Sequence, residues 1–191
     1  MSTRGVWGFF VDGQSKLAYN HSDSYPSGLG VDLVEDMQNF AKSVGLVELP
    51  PLARKLRLVK ETDKPTAADI KKLRHFADTS VGAGKVEDWY CLLRQTQSDF
   101  AKTLEAGVMV DASPFIKESL FCEWGYVINL DDNLFEVYKG FQREPHKKGR
   151  YASETASTGG KDKFYPCALV ATFPLNAIPK NALSGVERQH E

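Results

Sequence analysis

The dipeptide Asp12-Gly13, set between two runs of β-forming residues, constrains this chain more than any other feature of its sequence. Upstream of it Val6, Trp7, Phe9, Phe10 and Val11 favour a strand. Downstream, residues 16–21 alternate, with Leu17 and Tyr19 on one face and Lys16, Ala18 and Asn20 on the other. An Asp-Gly pair tolerates the positive φ angles that a two-residue hairpin turn demands. The chain therefore opens as an antiparallel hairpin, and the later segments must pair with it or pack on it.

The hydrophobic period then changes. Residues 22–30 carry Pro, Gly and small hydroxyls, which is loop chemistry. Leu33, Met37, Phe40 and Val44 fall at i, i+4, i+7 and i+11, one helical stripe, and Gly45 is a natural stop. Pro50-Pro51 breaks the chain, and residues 54–59 are short, basic and of open type. Thr66 with Asp69 three residues on predicts a capped second helix, buried through Ile70, Leu73 and Phe76 or Ala77. A third helical stretch is expected over 87–105. The chain then returns to β character. Residues 121–130 and 133–141 flank the turn at Asp131-Asp132-Asn133, 142–163 read as a long mobile loop, and 164–173 as a fifth strand. Strands separated by a run of helices predict an α+β fold, with antiparallel sheets and helices packed on them. Residues 1–179 read as one domain and 180–191 as a flexible tail.

Composition narrows the functional classes. With 24 Lys+Arg against 25 Asp+Glu the net charge is -1, which gives no general affinity for nucleic acid. Between Arg54 and His75 eight basic residues face three acids, and the pattern reads as a solvated helical face. No apolar run approaches the length of a bilayer span, so no membrane partner is expected. Cys91, Cys122 and Cys167 contain no C-x-x-C and fit packing residues in a reducing, cytoplasmic setting. The four histidines lack metal-site spacing, and neither a metal nor another cofactor is expected. Gly82-Ala83-Gly84-Lys85 lacks the spacing of a P-loop.

Three segments carry candidate chemistry. Asn20, His21, Ser22, Asp23, Ser24 and Tyr25 crowd polar groups at the end of the second strand, where they either form a site or cap backbone N–H groups. Ser27-Gly28-Leu29-Gly30 runs into a helix, where a phosphate or carboxylate is favoured, although glycines stand at such places for geometric reasons too. At the chain start, removal of Met1 frees the α-amine of Ser2. An α-amine has a pKa of about 7.7–8.0, so it is able to serve as base for its own hydroxyl near neutral pH. Arg4 nearby would hold an anionic substrate group or tune that amine.

Met1-Ser2-Thr3-Arg4 is similar to the Met-Cys-Thr start, often followed by Arg, of the N-terminal nucleophile hydrolases, in particular the choloylglycine hydrolase and penicillin V acylase group. Ser2 stands here in place of the Cys. Asn20-His21-Ser22-Asp23 resembles the Arg-x-x-Asp of that group, with Asn20 at the place of the Arg. Val127-Ile128-Asn129-Leu130 and Phe135-Glu136-Val137-Tyr138 resemble its later paired strands. The resemblance implies a four-layer αββα sandwich with the site at one end of the sheets. Ser2 would be the nucleophile, Arg4 a site charge, and Asp23 the carboxylate orienting the α-amine. Asn20 or backbone N–H groups would meet the oxyanion, and His21, Tyr25, Gly28 and Gly30 would contact the ligand. The reaction class is hydrolysis of a C–N bond in a small substrate. The alternative is a non-catalytic protein on the same scaffold, binding a small anionic ligand or a protein partner between residues 21–30 and 142–163.

Overall fold

The computed structural model describes residues 3–152, 157–159 and 162–190. The opening hairpin is present as β1 (Gly5–Val11) and β2 (Gln14–Asn20). Asp12 and Gly13 both have positive φ, 51° and 73°, as the two-residue turn requires. Their N–H groups donate to the two carboxylate oxygens of Asp131 at 2.8 and 2.9 Å, so the turn of a later hairpin caps the first.

After the loop, α1 (Val31–Ser43) buries Leu33, Val34 and Met37 and ends before Gly45, whose φ is 101°. Pro50 and Pro51 mark the first turn of α2 (Leu49–Lys55), where a missing N–H costs nothing; the prolines begin a helix instead of merely breaking the chain. β3 (Arg57–Val59) comes next, then α3 (Ala67–Leu73), opened by the expected capping box of Thr66 and Asp69. The single helix expected over 87–105 is two short ones, α4 (Trp89–Leu92) and α5 (Phe100–Ala106). Asp88 and Asp99 each cap an N-terminus, and Ser98 has φ 61°, so the backbone turns out of the helix between them. β4 (Val108–Val110) then pairs with β3 in parallel.

β5 (Trp124–Asn129) and β6 (Leu134–Lys139) form the second hairpin. β7 (Ser157–Gly159) pairs with β8 (Asp162–Phe164), and β9 (Ala168–Pro174) precedes α6 (Ala182–His190). The main sheet has the order β2-β1-β5-β6-β9. All its pairs are antiparallel except β1 with β5, which is parallel. The fold is α+β, but the sheet is mixed where an antiparallel one was expected. Parallel neighbours need a long crossover, and here it carries α1 to α5. The described strands form one five-stranded sheet and two two-stranded ladders, so they do not supply the two broad facing sheets of an αββα sandwich.

One face of the main sheet places Trp7, Phe9, Tyr126 and Ile128 against Leu33 and Met37 of α1, Phe100 of α5, and Leu183 and Val186 of α6. The other face packs Val6, Leu17, Val127 and Tyr138 on Ile116, Cys122, Tyr151 and Cys167. A third cluster, around Val59, Leu73, Phe76 and Trp89, joins α3, α4 and the β3–β4 ladder. Two expectations are corrected here. The segment 180–191 expected to be a loose tail is helical over 182–190, because Leu183 and Val186 recur on one side and enter the core. The described part of 142–163 is not a free loop either. His146 Nε2 bonds the Pro166 carbonyl at 2.7 Å, Tyr151 is buried, and Arg150 pairs with Glu136 while stacking on Phe10. Residues 153–156 and 160–161 of that segment lie outside the described residues. Among the described residues no helix is long and apolar enough to cross a membrane.

One buried cation ties the first hairpin to the crossover. Lys16 Nζ donates to the carbonyls of Ala53, Arg54 and Leu56 at 3.0, 2.8 and 2.7 Å, at the C-terminus of α2, where helix carbonyls lack partners and the dipole favours a positive charge. Lys16→Met is expected to cost about 2–4 kcal/mol, since it removes charge-assisted bonds and leaves buried carbonyls unmet. Urea unfolding checks this: the midpoint should fall with the slope unchanged, and a midpoint equal to that of the parent chain would contradict it.

Candidate functional site

The strand register gathers four chain segments at one end of the main sheet. Gly5 lies opposite Asn20 on one side and Trp124 on the other, and Trp124 lies opposite Lys139. Thr3 and Arg4 are held there from both sides. Thr3 is 1% exposed, and its carbonyl accepts the Ser24 N–H at 3.2 Å. The Arg4 carbonyl accepts the Glu123 N–H at 2.9 Å, while the Arg4 N–H donates to Glu123 Oε1 at 3.3 Å. The Arg4 guanidinium lies 5.1 Å over the Phe121 ring. Ser2 lies outside the described residues.

Asn20 is buried and organises the loop after it. Its amide nitrogen donates to the Ser22 carbonyl and, at 2.7 Å, to Ser24 Oγ, and its amide oxygen accepts from Ser98 Oγ. Both amide hydrogens are thus engaged, and in this arrangement the side chain has no donor left for an oxyanion. The Ser24 carbonyl accepts the Tyr126 hydroxyl at 2.8 Å. Burial pushes the Tyr126 phenol well above its ordinary pKa, so it stays a neutral donor.

The loop closes by backbone contacts. The Leu29 N–H donates to the Asp23 carbonyl, and the Gly28 and Gly30 N–H groups to the Tyr25 carbonyl. A Cβ on Gly28 would stand 2.6 Å from the Asp23 carbonyl oxygen. One on Gly30 would stand 3.0 Å from both Leu183 and Tyr126. These two glycines, expected to contact ligand, are positions of close packing. The remaining N–H, that of Ser27, donates to Glu187 Oε2 at 2.8 Å. The anion expected at this helix start is therefore a carboxylate of the chain itself, carried by α6.

His21, Asp23 and Tyr25 remain exposed. Asp23 has φ 55°, a conformation that Asp tolerates better than most residues. The Tyr19 hydroxyl and His21 Nδ1 are 3.0 Å apart. Tyr19 also lines a cavity of about 450 Å³, bounded by Trp89, Tyr90 and Phe115 and reaching Thr96 and Gln97, next to the Ser98 that holds Asn20. That volume is within the usual range for small-molecule sites. Burial raises the pKa of the Tyr19 phenol, and the charge of Arg4 opposes this. Trp89 is 1% exposed, and its indole N–H has no acceptor among the described residues.

The cavity was not legible in the sequence. Its walls come from β2, α4, β4 and the turn at Ser113–Lys117, and the aromatic density at Trp89-Tyr90 signals core as readily as ligand. Among the described residues no three His, Cys, Asp or Glu side chains converge to hold a metal ion. All three cysteines are buried, and burial lifts the Cys122 thiol well above its ordinary pKa, which suits packing and not nucleophilic attack.

Asn20→Ala should destabilise the protein by about 2–3 kcal/mol, because it leaves the hydroxyls of Ser24 and Ser98 and the Ser22 carbonyl without their shared partner. Amide hydrogen exchange at Ser24, whose N–H is bonded to Thr3, should accelerate beyond the global change. Unaltered protection at that amide would show that the loop is held from elsewhere.

No protein-family model, no curated protein and no solved structure matches this chain.

Proposed function

We propose that this chain hydrolyses an amide bond of a small substrate, with Ser2 as the nucleophile once Met1 is removed. The observation that carries the reading is the hydrogen bond from the Ser24 N–H to the Thr3 carbonyl. It ties the residue after Ser2 to the residue after Asp23, and Ser24 is linked through Asn20 to Ser98, the residue after the cavity-lining Gln97. The proposal rests on this local arrangement and on the resemblance of the chain start, not on a four-layer architecture.

In the proposed reaction Ser2 Oγ attacks the amide carbonyl, and the α-amine of the same residue takes the hydroxyl proton. The C–N bond breaks, that proton passes to the departing amine, and an ester to Ser2 remains. Water then attacks the ester, releasing the acid and restoring the hydroxyl. Asp23 orients the α-amine, and the charge of Arg4 favours its neutral form. Because the amide of Asn20 is fully engaged, oxyanion stabilisation falls to backbone N–H groups.

Intact-mass spectrometry and turnover of N-acyl anilides with apolar acyl groups test the proposal together. The expected result is a chain lacking Met1 whose Ser2→Ala variant folds but loses roughly 10³-fold or more in kcat/KM. Retention of Met1 in an active protein, or full activity of Ser2→Ala, would refute it. The cavity favours a second reading, small-molecule binding without chemistry. There a ligand at a hundred times its Kd should stabilise the fold by about 2.7 kcal/mol with no product formed.

A further inference from the structure

We infer that the cavity beside Tyr19 selects an amphipathic organic cation, an amine or quaternary ammonium attached to an apolar or aromatic body. The inference deepens the reading of this cavity as the small-molecule site and rests on it, but it does not depend on turnover. Its walls are aromatic: Trp89 is buried, and Tyr19, Tyr90 and Phe115 are half-buried. Tyr19 and Phe115 meet edge to face, with ring centroids 5.3 Å apart. Such rings present negative faces and positive edges, and a cation gains by lying over a face.

The charges point the same way. Among the described residues that line the cavity, the charged ones are Glu61, Asp111 and Glu118, all acidic and all exposed at its rim. Glu61 and Glu118 form no ion pair among the described residues. Two arginines stand against the aromatic walls, and one of them has a carboxylate of its own. Arg57, 5.5 Å over Trp89, pairs with Asp69. Arg94, 5.8 Å over Tyr90, donates from Nη1 to the amide oxygen of the cavity-lining Gln97 at 2.6 Å. Arg4 is the further cation whose field reaches Tyr19. Three carboxylates at the mouth stand against Arg94 and the field of Arg4, so negative charge remains in surplus there, while the interior offers apolar contact and the rings of Tyr19 and Phe115. An anionic ligand would meet repulsion at the rim, and a neutral one would gain only the apolar contact.

Isothermal titration of the full chain at low ionic strength tests this with three probes of similar body: benzyltrimethylammonium, benzyl alcohol and phenylacetate. The cation should bind at least tenfold more tightly than the alcohol, and phenylacetate more weakly than either. The double variant Glu61→Gln/Glu118→Gln, checked for an unchanged melting temperature, should lose about tenfold for the cation and little for the alcohol, as expected for charge at the rim of a partly desolvated site. Repeating the titration with Ser2→Ala separates this inference from hydrolysis, since binding should persist there whether or not the parent chain is active. Phenylacetate binding as well as the cation, a double variant with undiminished cation affinity, or no binding of any probe would each overturn it.

Discussion

The parallel pairing of β1 with β5 is the constraint on which the rest of this structure depends. It makes the first strand of the chain an interior strand, flanked by β2 on one side and β5 on the other. Both its faces are then buried, Val6 on one side of the sheet and Trp7, Phe9 and Val11 on the other. Each such side chain contributes about 1.5–3 kcal/mol of apolar burial, so the strand is firmly held and the residues just before it are held with it. The parallel return also requires a crossover, and the chain builds α1 to α5 and the β3–β4 ladder into it. The cavity lies where that crossover meets β2, so it exists because of the strand order.

Several polar residues at the sheet end serve the fold before they serve any chemistry. Asn20, Ser24, Ser98 and Tyr126 form a closed set of bonds joining the first hairpin, the loop, the crossover and β5. Such a network, fully satisfied, confers rigidity and a single arrangement. Glu187 acts similarly from the far end of the sequence, meeting the Ser27 N–H. Other groups face outward: His21, Asp23 and Tyr25 are exposed, and the Arg4 guanidinium lies over the Phe121 ring. Site and scaffold are thus interleaved within residues 20–30, because the backbone of a tight loop leaves N–H groups that some acceptor must meet.

Features governed by short-range rules were legible in the sequence. The Asp12-Gly13 hairpin, the α1 stripe ended at Gly45, the Thr66–Asp69 capping box and the second hairpin at 131–133 each depend on neighbours a few residues away. The break at Ser98 is different. Tyr90, Leu93, Phe100 and Leu104 keep a helical spacing across it, but the Asp99 side chain caps a new helix and Ser98 bonds Asn20, 78 residues away. The helix at 182–190 escaped the sequence pattern for a related reason. It is short and polar over much of its surface, and Leu183 and Val186 gain their burial only from a core assembled by other segments.

By itself the sequence determined the α+β class, the opening hairpin and the crowd of polar groups after the second strand, since turn chemistry and hydrophobic period are local properties. Only the tertiary structure decided that β1 lies inside a mixed sheet, that Asn20, Gly28 and Gly30 hold a loop, and that an aromatic cavity forms beside Tyr19. Strand partners and cavity walls are contacts between residues far apart in the chain, and period-two alternation reads the same whether a neighbouring strand runs parallel or antiparallel.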